Sequence, residues 1–113
     1  MRAALATAAL CLAGTAQAQD ASWPSRPLRF LVGFAAGGPV DVVARTIGQK
    51  LADSLGQPVV IDNRGGAGGV LGTLITAQAA PDGYTMMLGT SAGMVCNPLL
   101  SRKLAYDPVR DFA

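Results

Sequence analysis

Leu28–Asp41 reads LRFLVGFAAGGPVD, and its two halves follow different rules. Leu28–Val32 (LRFLV) is a short apolar run rich in branched residues, the pattern of a strand buried on both faces of a parallel sheet. Phe34–Asp41 (FAAGGPVD) is a glycine-rich turn that runs into Pro39, whose fixed φ and missing N–H suit the first position of a helix. Strand, glycine turn and helix in that order open an α/β unit.

The flanking sequence continues the alternation. From Val40 to Leu55 the apolar residues Val40, Val43, Ala44, Ile47, Leu51 and Leu55 form a helical stripe expected to face the sheet, while Arg45, Gln49, Lys50 and Asp53 fall outside it. Asp41 lies in the first turn, where negative charge suits the helix dipole, and Gly56 follows as the expected C-terminal cap. Val59–Asn63 (VVIDN) predicts a second strand and Asn63–Gly69 (NRGGAGG) a second glycine-rich turn. A second helix is expected over Val70–Ala80, weakened by Gly72, Thr73 and Thr76 and therefore dependent on packing. Pro81-Asp82-Gly83 turns the chain into a third strand at Tyr84–Gly89 (YTMMLG), and Asp107–Ala113 (DPVRDFA) reads as a turn entering a further element. The expected fold is α/β: a three-strand parallel βαβαβ unit with right-handed crossovers.

In such a sheet a ligand crevice lies beyond the carboxyl ends of the strands. Phe34, Ala36, Gly37, Gly38 and Asp41 of the first turn, Asn63, Gly66, Ala67, Gly68 and Gly69 of the second, and Thr90 and Ser91 after the third strand all fall there. Glycines let the backbone approach a ligand, and unpaired N–H groups at helix starts carry the positive end of the dipole. The hydroxyls of Thr90 and Ser91 add donors and acceptors. The constellation suits a carboxylate or phosphate. Two readings stay open at three positions: Asp41 is a helix-start residue or a ligand contact, Arg64 an anion partner or a solvated loop charge, and Phe34 a wall for an apolar ligand or a cover for the sheet end. Arg45, on the polar face of the first helix, is expected to be dispensable for binding.

Composition narrows the classes of function. Residues 1–18 have the layout of a signal peptide, with Arg2, an apolar run from Ala3 to Ala13 and the small-x-small site Ala16-Gln17-Ala18, so the expected mature chain starts at Gln19 and is exported. Leu10 before Cys11 is too bulky for a lipid-attachment site. With Arg2 gone the charge is close to neutral, which argues against nucleic acid or an anionic membrane surface as partner. The chain has no His, and all 7 of its acidic residues are Asp. A His-based triad and a His-containing zinc site are therefore excluded within it, and no cofactor is expected. Cys96 is read as a small buried residue near a strand end.

The competing reading is an exported α/β enzyme domain for a phosphorylated or nucleotide-like substrate. Gly66, Gly68 and Gly72 are spaced G-x-G-x-x-x-G, one residue wider than the dinucleotide fingerprint, and no phosphate-loop motif with a lysine is present.

Taken together, the leader, WPSRPLRFLVGFAAGGPVDVVAR (residues 23–45), QKLADSLGQPVVIDNRGGAGGVLGT (49–73), AAPDGYTMMLGTSAG (79–93) and NPLLSRKLAYDPVRDFA (97–113) resemble the start of the Bug family of periplasmic solute receptors, the substrate-binding proteins of tripartite tricarboxylate transporters. The resemblance runs through the whole mature segment. It implies a Venus flytrap-like, monomeric, two-lobe receptor in the periplasm that closes by hinge motion on a small organic carboxylate and serves a membrane permease or a sensor. It also implies that the loops after the first two strands hold a ligand carboxylate, partly through water. Residues 19–113 match the N-terminal part of one lobe, about the first third of the family's span, so the chain alone is expected to bind weakly or not at all. Gly65 stands where relatives often have Pro, which loosens the loop by an effect of order 1 kcal/mol. Val40 stands where Thr or Ser is common, which removes a hydroxyl near the helix start.

Overall fold

The computed structural model describes residues 22–112. The expected signal peptide over residues 1–18 lies outside them. Strand β1 (Leu28–Val32) leads to helix α1 (Pro39–Leu55), strand β2 (Val59–Asn63), a single turn at Ala67–Gly69, helix α2 (Val70–Ala77) and strand β3 (Thr85–Met87). A wide π-helical turn (Ala92–Cys96) then runs directly into helix α3 (Asn97–Leu100). No helix among the described residues is long and apolar enough to cross a membrane.

All strand pairings are parallel, and the sheet order is β2-β1-β3. Leu28 pairs with Val59 and Val32 with Asn63 on one side of β1, while Arg29 pairs with Thr85 and Leu31 with Met87 on the other. The crossover through α1 moves one way across the sheet and that through α2 moves back over β1. Because both are right-handed, the two helices lie on opposite faces. The core beneath α1 consists of Phe30, Val32 and Ala44, with Val40, Val59, Ile61, Met86 and Leu88 packed around them. Strand alternation turns Leu31, fully buried, to the α2 face.

Burial on both faces, expected for all three strands, holds for β1 alone. β2 and β3 are edge strands here, and Val60 is 54% exposed. The β3 ladder bonds run from the Tyr84 carbonyl, accepting from Arg29, to the Leu88 N–H, so only Gly89 of the expected strand falls outside the pairing. α2 stops at Ala77 instead of Ala80: Gln78 caps it, its N–H donating to the Leu74 carbonyl, and Pro81 keeps Ala80 out of the helical region.

α1 has the expected ends. Pro39 opens it, and Gly56 closes it at φ 67°, its N–H donating to the Ala52 carbonyl. Its buried face is rotated from the expected stripe: Asp41, Ala44 and Gly48 are buried, whereas Val43 and Ile47 are 48% and 40% exposed. The smaller residues win because they allow close approach; a Cβ on Gly48 would lie 2.9 Å from Ile61 Cδ1.

At the amino end of the sheet, away from the loops that follow the strands, the chain entering β1 is pinned to Tyr84. Arg26 lies over that ring at 4.0 Å and pairs with Asp82, and the Ser25 N–H donates to the Tyr84 hydroxyl.

Candidate functional site

The first turn leaves β1 through Gly33 and is held by a buried carboxylate. Asp41 Oδ2 accepts the Gly37 N–H at 2.9 Å and Arg45 Nε at 2.8 Å, while Oδ1 accepts Asn63 Nδ2 at 2.9 Å. The same Asn63 amide donates to the Phe34 carbonyl at 3.1 Å, so one side chain at the end of β2 binds both the turn and the helix that follows it. The Arg45 guanidinium, the Gly37 N–H and the Asn63 amide hold the Asp41 carboxyl down at about 2, against the opposing effect of burial. Asp41 thus faces inward. Arg45, expected to be dispensable, neutralises it and also reaches Asn63 Oδ1 at 3.5 Å.

The second turn is left-handed throughout. Gly66, Ala67, Gly68 and Gly69 have φ of 143°, 49°, 63° and 90°. Ala67 is the one non-glycine at positive φ among the described residues, a conformation that costs about 1–2 kcal/mol. Within the turn the Gly69 N–H donates to Gly66 and the Val70 N–H to Ala67. Among the described residues, no acceptor takes the N–H of Ala67 or of Gly68. The turn is clamped from three sides. Thr73 Oγ1 donates to the Gly69 carbonyl at 2.8 Å, Asn97 Nδ2 donates to the Gly68 carbonyl at 3.1 Å, and the Phe34 ring lies where a Cβ on Gly69 would meet it at 3.4 Å. Phe34 both covers the sheet end and supports this turn.

After β3, the Thr90 hydroxyl accepts the Gly93 N–H and its carbonyl accepts that of Met94, which starts the last helical segment; Ser91 stands exposed beside it. α2 and this last segment have no acidic residue in their first turns. Their positive ends are uncompensated, in contrast to α1 with Asp41.

The candidate residues therefore gather at the carboxyl edge of the sheet, in the β2-β1-β3 order whose switch point lies between β1 and β3. Asp41 and Asn63 interlock beneath the two turns, whereas Ala36, Gly37, Gly66, Ala67 and Gly68 are exposed above them. Gly38, half-buried, has ordinary extended backbone at φ −80° and ψ 172°. Arg64 is turned back along β2, its Nε donating to Asp62 Oδ1 at 2.8 Å, while Arg29 takes the other oxygen. Burial works against the Asp62 carboxylate, yet the two guanidiniums outweigh it and hold its pKa below the usual range. Cys96 is exposed in the wide turn and not buried near a strand, because the helical segment turns it outward.

Several contributors carried no distinct signal in the sequence. By sequence Gly72 reads as a weakness of α2 or part of a stretched fingerprint; a Cβ there would lie 2.6 Å from Gly33 Cα, so these two glycines let the helix start press onto the end of β1. Asn97 and Tyr106, whose hydroxyl donates to the Gly93 carbonyl, belong to a sequence region without periodicity. Among the described residues, a cavity of about 330 Å³ lies between α1 and β2 and another of about 620 Å³ along the free side of β3, both away from these loops. The gathered loops form an open shelf.

Residues 43–113 match the family model described as the tripartite tricarboxylate transporter family receptor. Protein BugT of Bordetella pertussis is 46% identical over 93 residues, covering 78% of this chain and 28% of its own length. A solved structure of periplasmic binding protein BugD is 43% identical with a TM-score of 0.75, covering 79% of this chain and 29% of that one. MatC from Rhodopseudomonas palustris, solved with bound malate, is 45% identical with a TM-score of 0.74, covering 78% of this chain and 30% of that one. The chain spans under a third of the length of the relatives it matches. On the strength of the family model and the shared βαβαβ unit, this chain belongs to the tripartite tricarboxylate transporter receptor family.

Proposed function

We propose that the chain provides one side of a periplasmic receptor for a small organic carboxylate. The observation that carries this reading is the left-handed turn at Gly66–Gly69, in which the N–H groups of Gly66, Ala67 and Gly68 find no acceptor among the described residues, next to a helix start with no acidic residue. A carboxylate placed there gains charge-assisted hydrogen bonds, and the Asp41 charge that would repel it is already paired with Arg45. Ala36, Gly37 and Gly38 form the second rim, and Thr90 and Ser91 the third. Asp41 and Asn63 position these rims and do not touch the ligand. The malate held by MatC is the model for the ligand class.

In this proposal residues 1–18 are a cleaved leader and residues 19–113 the first part of one lobe, with a second lobe closing over the shelf by hinge motion. The open geometry of the shelf supports that division. The receptor acts as a non-catalytic monomer that hands its ligand to a membrane permease or sensor. A thermal-shift panel on the longest form of the protein carrying these residues tests the reading. Malate at a hundredfold excess over its dissociation constant adds about 2.7 kcal/mol to the folded state. Stabilisation by nucleotides or sugar phosphates, with none by dicarboxylates, would instead favour the enzyme alternative.

A further inference from the structure

Asn97 reaches its partner only because the helix that carries it is wound wide. Its backbone N–H donates to the Ala92 carbonyl, five residues back, where a regular α-helix would use Gly93. The Gly93 carbonyl so released accepts the hydroxyl of Tyr106, a residue 4% exposed. Gly93 itself is pressed against α2: a Cβ there would lie 2.6 Å from Thr73 Oγ1. The extra residue in the turn changes the angular phase of everything after it by about 100°. Asn97 thereby faces the second loop, and its Nδ2 donates to the Gly68 carbonyl across a separation of 29 residues. On the far side of the same turn, Thr73 holds the neighbouring Gly69 carbonyl.

We propose that Asn97 is a positioning residue for carboxylate binding. It fixes the Gly68–Gly69 peptide, whose N–H closes the turn on the Gly66 carbonyl, and through the closed turn keeps the preceding N–H groups of Ala67 and Gly68 turned to the ligand; the wide turn braced by Tyr106 is the device that aims it. This inference rests on the carboxylate reading of the loops. It differs from a merely structural role because the Gly66–Gly69 turn is strained at Ala67 and needs an external hold to keep one shape.

The test combines amide hydrogen exchange with malate binding on the longest form of the protein that carries these residues. Asn97→Ala and the isosteric Asn97→Asp are compared with the parent. Exchange at Gly69 and Val70, whose N–H groups close the turn, is expected to accelerate at least tenfold, while Gly56 at the end of α1 keeps its rate. Malate affinity is expected to fall at least tenfold in both variants. For Asn97→Asp the loss relative to the parent shrinks as pH is lowered toward 4, since a protonated carboxyl regains a donor; a loss of packing alone would show no such dependence. Tyr106→Phe shifts exchange in the same direction by less. Unchanged exchange at Gly69 and Val70, or faster exchange with unchanged malate affinity, would overturn the proposal. If the parent shows no malate binding while exchange still accelerates, the hold of Asn97 on the turn stands and the carboxylate reading falls.

Discussion

Asp41 shows how one side chain changes meaning between sequence and structure. Its place in the first turn of α1 was legible as a dipole effect, but its burial and its grip on Asn63 depend on a strand end 22 residues away. Its pKa of about 2 lies below the ordinary carboxylate value of about 3.9. A folded-state pKa that is depressed means stabilisation fully present above the unfolded value and lost as pH falls through the folded one. The parent is therefore expected to lose stability between about pH 4 and pH 2 more steeply than Asp41→Asn. Urea unfolding of the two across that range checks it, and parallel curves would contradict it. Glycines divide in the same way. Gly37, at φ 86° with open space around it, is expected to cost about 1–2 kcal/mol on change to Ala through backbone conformation alone. Gly72→Ala would gain about 1 kcal/mol of helix propensity yet meets the Gly33 backbone, so a net loss of about 1–3 kcal/mol is expected in denaturant titration. Glycine spacing revealed neither cause, because the sequence does not state what a missing side chain would strike.

Among the elements, β1 and the ends of α1 were readable because their signals are local: a branched apolar run, a proline at the first position, a glycine at the last. The face α1 buries was less so. Periodicity selects the largest apolar residues, whereas close packing on a sheet rewards Ala44 and Gly48. The last helical segment was not legible, since its wide turn answers to Thr73 and Tyr106, contacts that no periodic pattern encodes. Its start has a testable local device. Thr90→Ala removes the hydroxyl that accepts the Gly93 N–H and is expected to lower stability by about 1 kcal/mol in thermal or urea unfolding, the usual loss for a helix cap. Thr90→Ser should retain most of it.

At the scale of the whole molecule, order β2-β1-β3 puts α1 and α2 on opposite faces and leaves the three loops together at one edge. The two glycine-rich turns made that edge visible in the sequence, and Asn63 with Gly69 joins them physically. In the proposed receptor this edge, and not the cavity along β3, receives the carboxylate. Titrating malate into isotope-labelled protein, in the longest form that carries these residues, and following the backbone amides tests it most directly. Saturable shifts are expected at Ala36–Gly38, Ala67–Gly69 and Thr90–Ser91, abolished by Gly68→Val and retained in Arg26→Ala. Shifts confined to Thr76–Met87, with the three loops silent, would contradict it.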